Sequence, residues 1–561
     1  MKQLIECVPN FSEGRDMNII NQITKEIESV EGVSLLDVDP GKATNRTVVT
    51  FVGEPEPVLE AAFLAMKKAK ELIDMSKHTG EHPRFGATDV CPLIPIANIS
   101  MEETAKLAHK LGKRVGEELD YPIYLYENAA TKPARKNLAF VRSGEYEGLK
   151  ERIKTETPDF GKAEFRPKTG ATAISARDFL IAVNFNLNTT SSRRANSVAF
   201  DVREAGRVLR EGNPITGKIK NDENGEPLRQ EGTCKGTKGI GWFIEEYGIA
   251  QVSMNITDVN ATPLHIAFEE TRKSAESRGM RVTGTEIVGL LPLKMMTSAG
   301  KYFLEQQQRS TGVSEAELIK IAIKSMGLDD LKPFNPQDKI IEYKIADKSK
   351  TPLLQKNLTE FAEETASESP APGGGSISAY VGSLGAALGT MVANLSSHKR
   401  GWDNRWKEFS DLAEEGQTYK NQLLALVDED THAFNQIMNA FGLPKDNETD
   451  ITARKQAISD ATKNAIEVPL KVMEICASMF EWLEKLAISG NPNSASDTGV
   501  GAICVRAALR GAYLNVKINI ASFDDESFIE DVLEKAKTYH KTAKKGEKEV
   551  LKLVKKAIKE M

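Results

Sequence analysis

The period of hydrophobic and polar positions changes along the chain and divides it. Up to about residue 330, short runs rich in Val, Ile, Leu and aromatic residues alternate with stretches whose apolar positions recur every three to four residues. "QLIECVPNF", "VSLLDVD", "RTVVTFVG", "CPLIPI" and "PIYLYE" read as strands; residues 57–75 and 103–119 read as amphipathic helices. A second series opens with "FLIAVNFNLN" at Phe179. It continues through a helix over 195–211, two strands around a turn in "GIGWFIEEYGIAQVSMNIT", a helix over 263–278 and a strand in "TEIVGLLPL". The pattern predicts two α/β subdomains with α+β sandwich-like layering, residues 1–178 and 179–328, and a small-molecule cleft between them.

The polar, proline-spaced stretch over 329–352 reads as a linker. Beyond it the β signal vanishes. Helical periodicity runs over 354–366, 377–398, 402–441, 451–489, 498–514 and 526 to the end, which predicts an all-α domain over 353–561. "ISAYVGSLGAALGTMVANL" is rich in Gly, Ala and Ser. It reads as a central core helix or a dimer seam, too short and too little apolar for a bilayer span.

Composition narrows the class without choosing a function. The 561 residues are 40% hydrophobic and 27% charged, with a net charge of -6. Nothing here suits a nucleic-acid surface, and no signal peptide is read at the start. Cys7, Cys91, Cys234, Cys476 and Cys504 are scattered and odd in number, which points to small buried thiols in a reducing, cytoplasmic setting.

Five stretches carry candidate chemistry. In "HTGEHPRFG", His78 and His82 have the spacing of a helical zinc pair, but Gly80 and Pro83 weaken the helix such a pair needs. A structural turn remains open. So does an acid/base loop with His82 as base, tuned by His78, Glu81 or Asp89, since imidazole titrates near neutrality. In "DFGKAEFRPKTGATAISARDFL", the Gly170-Ala171-Thr172 run before a strand leaves backbone amides accessible, with Arg166 and Lys168 beside them, as an anionic planar ligand would require. "SPAPGGGSISA" resembles an anion-binding helix start and lacks the Lys of a nucleotide loop. "LVDEDTHAFNQI" places Asp428, Glu429, Asp430 and His432 on one helix; Asp430 shares a face with Val427 and Phe434, where burial would raise its pKa. In "SGNPNSASDTGVGA", Asp497 follows a loop and reads as a cap on the next helix.

With these residues in view a family resemblance appears. "VPNFSEGR", "DVDPGKATNRTVVTFVG", "DMSKHTGEHPRFGATDVCPLIPI" and "GATAISARDFLIAVNFNL" resemble the formimidoyltransferase domain of folate-dependent histidine degradation. "PAPGGGSISA", "LVDEDTHAF" and "SASDTGVGA" resemble the formimidoyltetrahydrofolate cyclodeaminase domain, and the order is that of the fused bifunctional family. The resemblance implies transfer of a formimidoyl group from N-formimidoyl-L-glutamate to tetrahydrofolate, then closure to 5,10-methenyltetrahydrofolate with release of ammonia. It implies His82 and Asp430 as catalytic groups. It also implies a folate-contacting strip over Ala163, Glu164, Phe165, Arg166, Pro167, Lys168, Thr169, Gly170, Ala171 and Thr172. Arg84 is a candidate for a substrate carboxylate; Gly373, Gly374, Gly375, Ser376 and Asp497 are candidates for folate contact in the second site. Tetrahydrofolate, with a polyglutamate tail, would be a co-substrate, with no metal and no nucleic-acid partner, in a homo-oligomer. The polar insert "EGNPITGKIKNDENGEPLRQEGTCKG" reads as a surface extension, and a folate-binding scaffold with an inactive site is the alternative.

Overall fold

A computed structural model describes residues 3–81, 83–212, 217–346 and 350–560. The chain forms two compact units, one of residues 1–299 with 322–346, the other of residues 300–321 with 347–561.

The first unit contains two sheets. One has β1 (Leu4–Cys7), β2 (Asn10–Phe11), β3 (Val33–Gly41), β4 (Arg46–Gly53), β5 (Thr88–Ala97), β6 (Ile123–Glu127) and β7 (Thr172–Ala176). β1 and β2 follow one another between β4 and β5; β3 pairs outside β4, and β5, β7 and β6 run parallel. Alternation along the strands sets two faces. Ile5 and Cys7 of β1, Val49 and Phe51 of β4, and Cys91 and Leu93 of β5 join one core with α1 (Met17–Glu28), α2 (Pro55–Leu72) and α3 (Met101–Glu118). Their neighbours Glu6, Val8, Asn10, Arg46, Val48, Thr50, Val90 and Pro92 face a cavity instead. After β6 come the short α4 (Leu138–Val141) and α5 (Glu145–Arg152).

The second sheet has the order β11 (Thr237–Ile244), β12 (Ile249–Ile256), β8 (Ile181–Leu187), β13 (Val282–Val288), all antiparallel. Its outer face packs on α6 (Ser192–Val202) and α7 (Leu264–Glu276), with the Phe185 and Phe268 rings 6.2 Å apart. Ala182, Asn184, Gln251, Ser253, Asn255 and Glu286 face the same cavity as the first sheet, giving the expected layered arrangement.

Two expectations need correction here. α6 stops at Val202 rather than near residue 210, because the chain turns at Gly206 (φ +58°) into a two-strand ladder of β9 (Arg207–Val208) with β10 (Arg229–Gln230). That ladder is the base of the polar insert, whose described residues are largely exposed. The stretch read as a linker carries α10 (Pro336–Lys339) and α11 (Ile341–Ile345). Leu291 exchanges backbone bonds with Lys339 and Ile341, and Ile341 is buried with Leu36, Val52 and Leu290, so residues up to 346 are part of the first unit. The helices between, α8 (Leu293–Gln306) and α9 (Glu315–Met326), went unread in the sequence.

The second unit is helical: α12 (Leu358–Ala366), α13 (Gly374–Ser397), α14 (Trp406–Phe441), α15 (Glu448–Ser489), α16 (Ala495–Ile520) and α17 (Glu526–Lys559). Its earlier segment is clamped on the bundle: Asn394 and Gln417 donate to the Gly312 carbonyl (2.9 and 3.1 Å), and the Thr311 amide donates to Ser410 Oγ (2.9 Å). α13 packs on α14, α15 and α16. Its small residues permit this: a Cβ at Gly385 would lie 2.8 Å from the Gly501 carbonyl of α16. Contrary to the sequence reading, α13 is long and apolar enough to cross a bilayer; its apolarity accompanies burial of 61% of its most apolar stretch in the bundle. Pro469 inside α15 frees the carbonyl of Ala465, and Asn519 Nδ2 satisfies it at 2.7 Å.

Candidate active sites

The polar faces of the two sheets enclose a cavity of about 520 Å³, a volume typical of small-molecule sites. At one end stands a charge cluster. Asp89, fully buried on β5, pairs with Arg46 and with Arg142 Nη2 (2.6 Å). Asn10 Oδ1 accepts from Arg46 Nε and Nη2 (2.9 and 2.7 Å). Burial pulls the Arg46 guanidinium down to about 10 against the pull of Asp89, so it stays charged at neutral pH. Two guanidiniums on one carboxylate leave a net positive charge lining the cavity, suited to a carboxylate ligand. Elsewhere in the cavity, Glu286 accepts from Asn184 (3.0 Å) and Tyr247 (3.1 Å), and Asp39 accepts from the Gly289 amide (2.9 Å). Glu6 is 4% exposed, and burial pushes its carboxyl up to about 7, opposed by Arg177.

The motif from His78 onward adjoins this cluster. Its described residues form neither helix nor strand, as the glycine and proline required. His82 lies outside the described residues; its neighbours on both sides are placed. Pro83 offers its carbonyl to Arg142 Nη2 (3.1 Å) and Arg46 Nη1 (3.4 Å), and Glu81 N–H donates to the Ala43 carbonyl (3.3 Å). His78 has a positioning part. Its Nε2–H donates to the Asn45 carbonyl (2.8 Å), Asn45 Nδ2 returns a bond to the Thr79 carbonyl (2.9 Å), and burial lowers the His78 pKa. Asn45 has φ +48°, a left-handed turn conformation that Asn tolerates. Arg84, expected on a substrate carboxylate, is paired with Glu147.

The expected folate strip departs from its sequence reading. The amides of Gly170, Ala171 and Thr172 are spent on the carbonyls of Arg166 (2.7 Å), Phe85 (3.1 Å) and Pro122 (3.0 Å), so they are not accessible. Arg166 pairs with Asp120 and with Glu164 (3.0 Å), and Lys168 Nζ donates to the Glu71 carbonyl (2.9 Å). Ala163, Glu164, Pro167 and Lys168 are exposed, Phe165 lies against the Tyr146 ring, and Thr169 through Thr172 are buried. None of the strip lines the cavity. It also braces the motif: Ala87 N–H donates to the Thr169 carbonyl (2.8 Å) beside the Phe85–Ala171 bond. The sequence missed Arg46, Arg142, Arg177, Glu6 and Glu286. For Glu6, Arg46 and Glu286 the signal was there in the polar positions of "IECVPNF", "RTVVTFVG" and "TEIVGLLPL", read only as strand.

In the helical unit the candidates separate. Asp428 is buried and accepts the amides of Leu353 (2.9 Å) and Leu354 (3.2 Å), a structural anchor; Glu429 is exposed. Asp430 meets the start of α13: its Oδ2 accepts from Ser376 N (2.8 Å) and Ser376 Oγ (3.0 Å), and that hydroxyl also meets Thr431 Oγ1 (3.2 Å). Gly373 is the N-cap, and Gly375 is required by Asp430, since a Cβ there would lie 2.0 Å from Asp430 Oδ1. The helix end expected to bind a ligand anion therefore already holds a protein carboxylate. Burial raises the Asp430 pKa, and the two Ser376 bonds pull against it. Asp497 corrects a further expectation. It lies inside the first turn of α16, whose N-cap is Ser494, and does not cap it. α16 runs antiparallel to α13, with Asn515 beside Gly374, so Asp497 stands roughly 27 Å along the helix from that contact.

Fold and sites define a two-part protein: a two-sheet α/β unit with a charged cleft, and a helical unit with a carboxylate seated on a helix start. Comparison with known families gives that class a place. Residues 4–177 match the formiminotransferase domain, N-terminal subdomain; residues 182–346 match the formiminotransferase domain; residues 357–538 match formiminotransferase-cyclodeaminase. The chain is 41% identical to the formimidoyltransferase-cyclodeaminase of Mus musculus over 96% of each chain, and 41% identical to that of Dictyostelium discoideum over 99% of each. A glutamate formimidoyltransferase of Streptococcus pyogenes serotype M1 is 38% identical over 54% of this chain and 94% of its own. The chain belongs to the formimidoyltransferase-cyclodeaminase family.

Proposed function

We propose that this chain is a bifunctional folate enzyme. Its α/β unit transfers the formimidoyl group of N-formimidoyl-L-glutamate to N5 of tetrahydrofolate. Its helical unit cyclises the product to 5,10-methenyltetrahydrofolate and releases ammonia. The observation that carries the reading is co-extension: relatives whose names hold both activities match over nearly the whole chain, and each unit has its own polar site.

In the first step N5 attacks the amidine carbon and loses a proton, while the departing glutamate nitrogen gains one. His82 is the proposed shuttle, worth about 10²–10⁴-fold as a general acid–base. Arg46 and Arg142, beside Pro83, hold a substrate carboxylate with the charge that Asp89 leaves uncancelled. In the second step N10 attacks the same carbon and ammonia leaves. Asp430 takes the N10 proton, its raised pKa bringing it nearer neutrality, and the Gly374 and Gly375 amides at the start of α13 face the folate.

The folate is proposed to carry a polyglutamate tail, held by the lysines that recur every three to four residues along α17, from Lys537 to Lys559. The chain is proposed to form homo-oligomers in the cytoplasm. Leu384, Met391 and Leu395 of α13 and Val500, Ile503, Leu514 and Ile518 of α16 expose apolar side chains on two adjacent helices, a face that a second copy would cover.

The test follows methenyltetrahydrofolate by its near-ultraviolet absorbance, starting either from formimidoylglutamate with tetrahydrofolate or from supplied formimidoyltetrahydrofolate. His82→Ala should abolish the first reaction and spare the second, and Asp430→Ala the reverse. Loss of both steps in either folded variant sinks the two-site assignment.

A further inference from the structure

Two of the carboxylates lining the cleft stand in opposite situations. Glu286 is satisfied by Asn184, Tyr247 and Gln251. Glu6, 4% exposed, accepts no hydrogen bond among the described residues. Arg177, which faces the same cavity, sends its Nη1 to the Asp178 carbonyl (2.8 Å) rather than to Glu6. Buried carboxylates are ordinarily hydrogen-bonded, because desolvation without a partner is costly. Glu6 cannot turn away either. Ile5 and Cys7 on either side of it are fully buried in the opposite core, and a one-residue slip of β1 would bring them into the cleft. The strand therefore holds an unmatched acceptor pair pointed at the ligand space.

Its position says which ligand edge it meets. Glu6 lies four residues from Asn10, which marks the Arg46–Asp89 end beside Pro83; at strand rise this is about 13 Å. The chemistry and the carboxylates of formimidoylglutamate belong at that end. A flat bicyclic ring seated with N5 there and its long axis along β1 would carry its pyrimidine half towards Glu6. We propose that Glu6 is the acceptor for the pyrimidine edge of the folate ring, its two carboxylate oxygens taking the adjacent N3–H and 2-amino donors. This rests on the folate reading above and deepens it. Glu6 is then a specificity-determining residue that rejects rings lacking this donor pair, since such a ring would leave the carboxylate unmatched.

Titration gives an independent handle. Besides Glu6, the charged and titratable groups lining the cleft are Asp39, Lys42, Arg46, Tyr126, Arg142, Arg177, Glu246, Tyr247, Glu286 and Lys332, and of these Arg177 is the one that bears on it. With the free carboxyl near 7, a ligand that binds the ionised form expels a proton near neutral pH and binds more weakly as pH falls.

The experiment uses the full-length protein and 5-formyltetrahydrofolate as a stable probe. Calorimetry in two buffers of different ionisation enthalpy, at pH 7, should show proton release on binding to the wild type. Glu6→Gln should weaken probe binding about 10- to 100-fold, the loss expected for charged hydrogen bonds, and abolish the proton release. Its KM for formimidoylglutamate and its cyclisation of supplied formimidoyltetrahydrofolate should stay unchanged. Wild-type binding with no proton exchange overturns the proposal, and that measurement needs no variant. So does a folded Glu6→Gln protein with undiminished probe affinity, or one whose loss falls on formimidoylglutamate alone. A wild type that makes no formimidoyltetrahydrofolate at all is a different failure, of the transferase reading itself.

Discussion

The cleft of the α/β unit and the carboxylate site of the helical unit solve the same problem with different architecture. The cleft distributes its groups over many strands. Period-two alternation sends Glu6 of β1, Arg46, Val48 and Thr50 of β4, Ala182 and Asn184 of β8, and Gln251, Ser253 and Asn255 of β12 into one cavity, so the site draws on two sheets. The helical site concentrates its groups: one carboxylate, one serine and one glycine where two helices cross. A distributed site should degrade by degrees, and a concentrated one should fail at a single atom.

Asp430→Asn gives the largest expected effect. It keeps the shape and removes the proton acceptor, so cyclisation should fall about 10³-fold, within the range for general acid–base groups, while formimidoyl transfer is unchanged. Stopped-flow absorbance with each substrate separately checks this. Asp89→Asn probes the cleft. It leaves Arg46 and Arg142 facing each other without their buried carboxylate, which costs about 3–5 kcal/mol when a buried pair is broken. The melting temperature of the α/β unit should drop, with a raised KM for formimidoylglutamate. An unchanged melt and KM would mean the cluster neither holds the unit together nor serves the ligand.

Gly375→Ala comes next. The new Cβ would meet Asp430 Oδ1 at 2.0 Å, so the carboxylate must leave Ser376. Cyclisation should fall by about 10²-fold, the scale of a misplaced catalytic group. Ser376→Ala is gentler. It removes the hydroxyl bond and keeps the amide bond to Asp430. Both bonds favour the ionised form, so losing one raises the Asp430 pKa further. With the carboxylate as the base, the acid limb of the pH–rate profile moves to higher pH. A shift to lower pH, or none, would remove Asp430 as the base.

The two sites also differ in how much the sequence disclosed. The helical site was legible as far as Asp430 and the glycine run, because both lie in contiguous motifs. That they touch each other was not, since the contact joins residues 54 positions apart. Asp497 misled for the same reason: a polar loop before a helix predicts a cap, and the helix starts one turn earlier than the apolar pattern does. The strands of the α/β unit were readable from alternation, but a period of two says only that two faces exist. Which face meets a second sheet is decided by packing, so Arg46, Arg142 and Glu6 stayed hidden in strands and short helices. Helix α13 shows the converse. A 24-residue apolar helix is ambiguous until its neighbours are known, and those of α13 are α14, α15 and α16, packed close against its small residues.

The smallest expected effect tests the boundary of the distributed site. Arg166 was read as a ligand-binding cation because it precedes Gly170 in a glycine-containing loop. In the fold its guanidinium pairs with Asp120 and Glu164, all three partly or largely exposed, and it does not line the cavity. Exposed pairs of this kind contribute about 0–1 kcal/mol. Arg166→Ala should therefore change KM for tetrahydrofolate less than about fivefold, the kinetic equivalent of that energy. It should leave KM for formimidoylglutamate unchanged, whereas Arg142→Ala raises the latter. A larger folate effect at Arg166 would extend the site out of the cleft and along the 163–172 strip. The contrast would then lie between a two-sheet vessel with a surface rim and a helix-end site, and the brace beneath the motif would count as part of the folate contact.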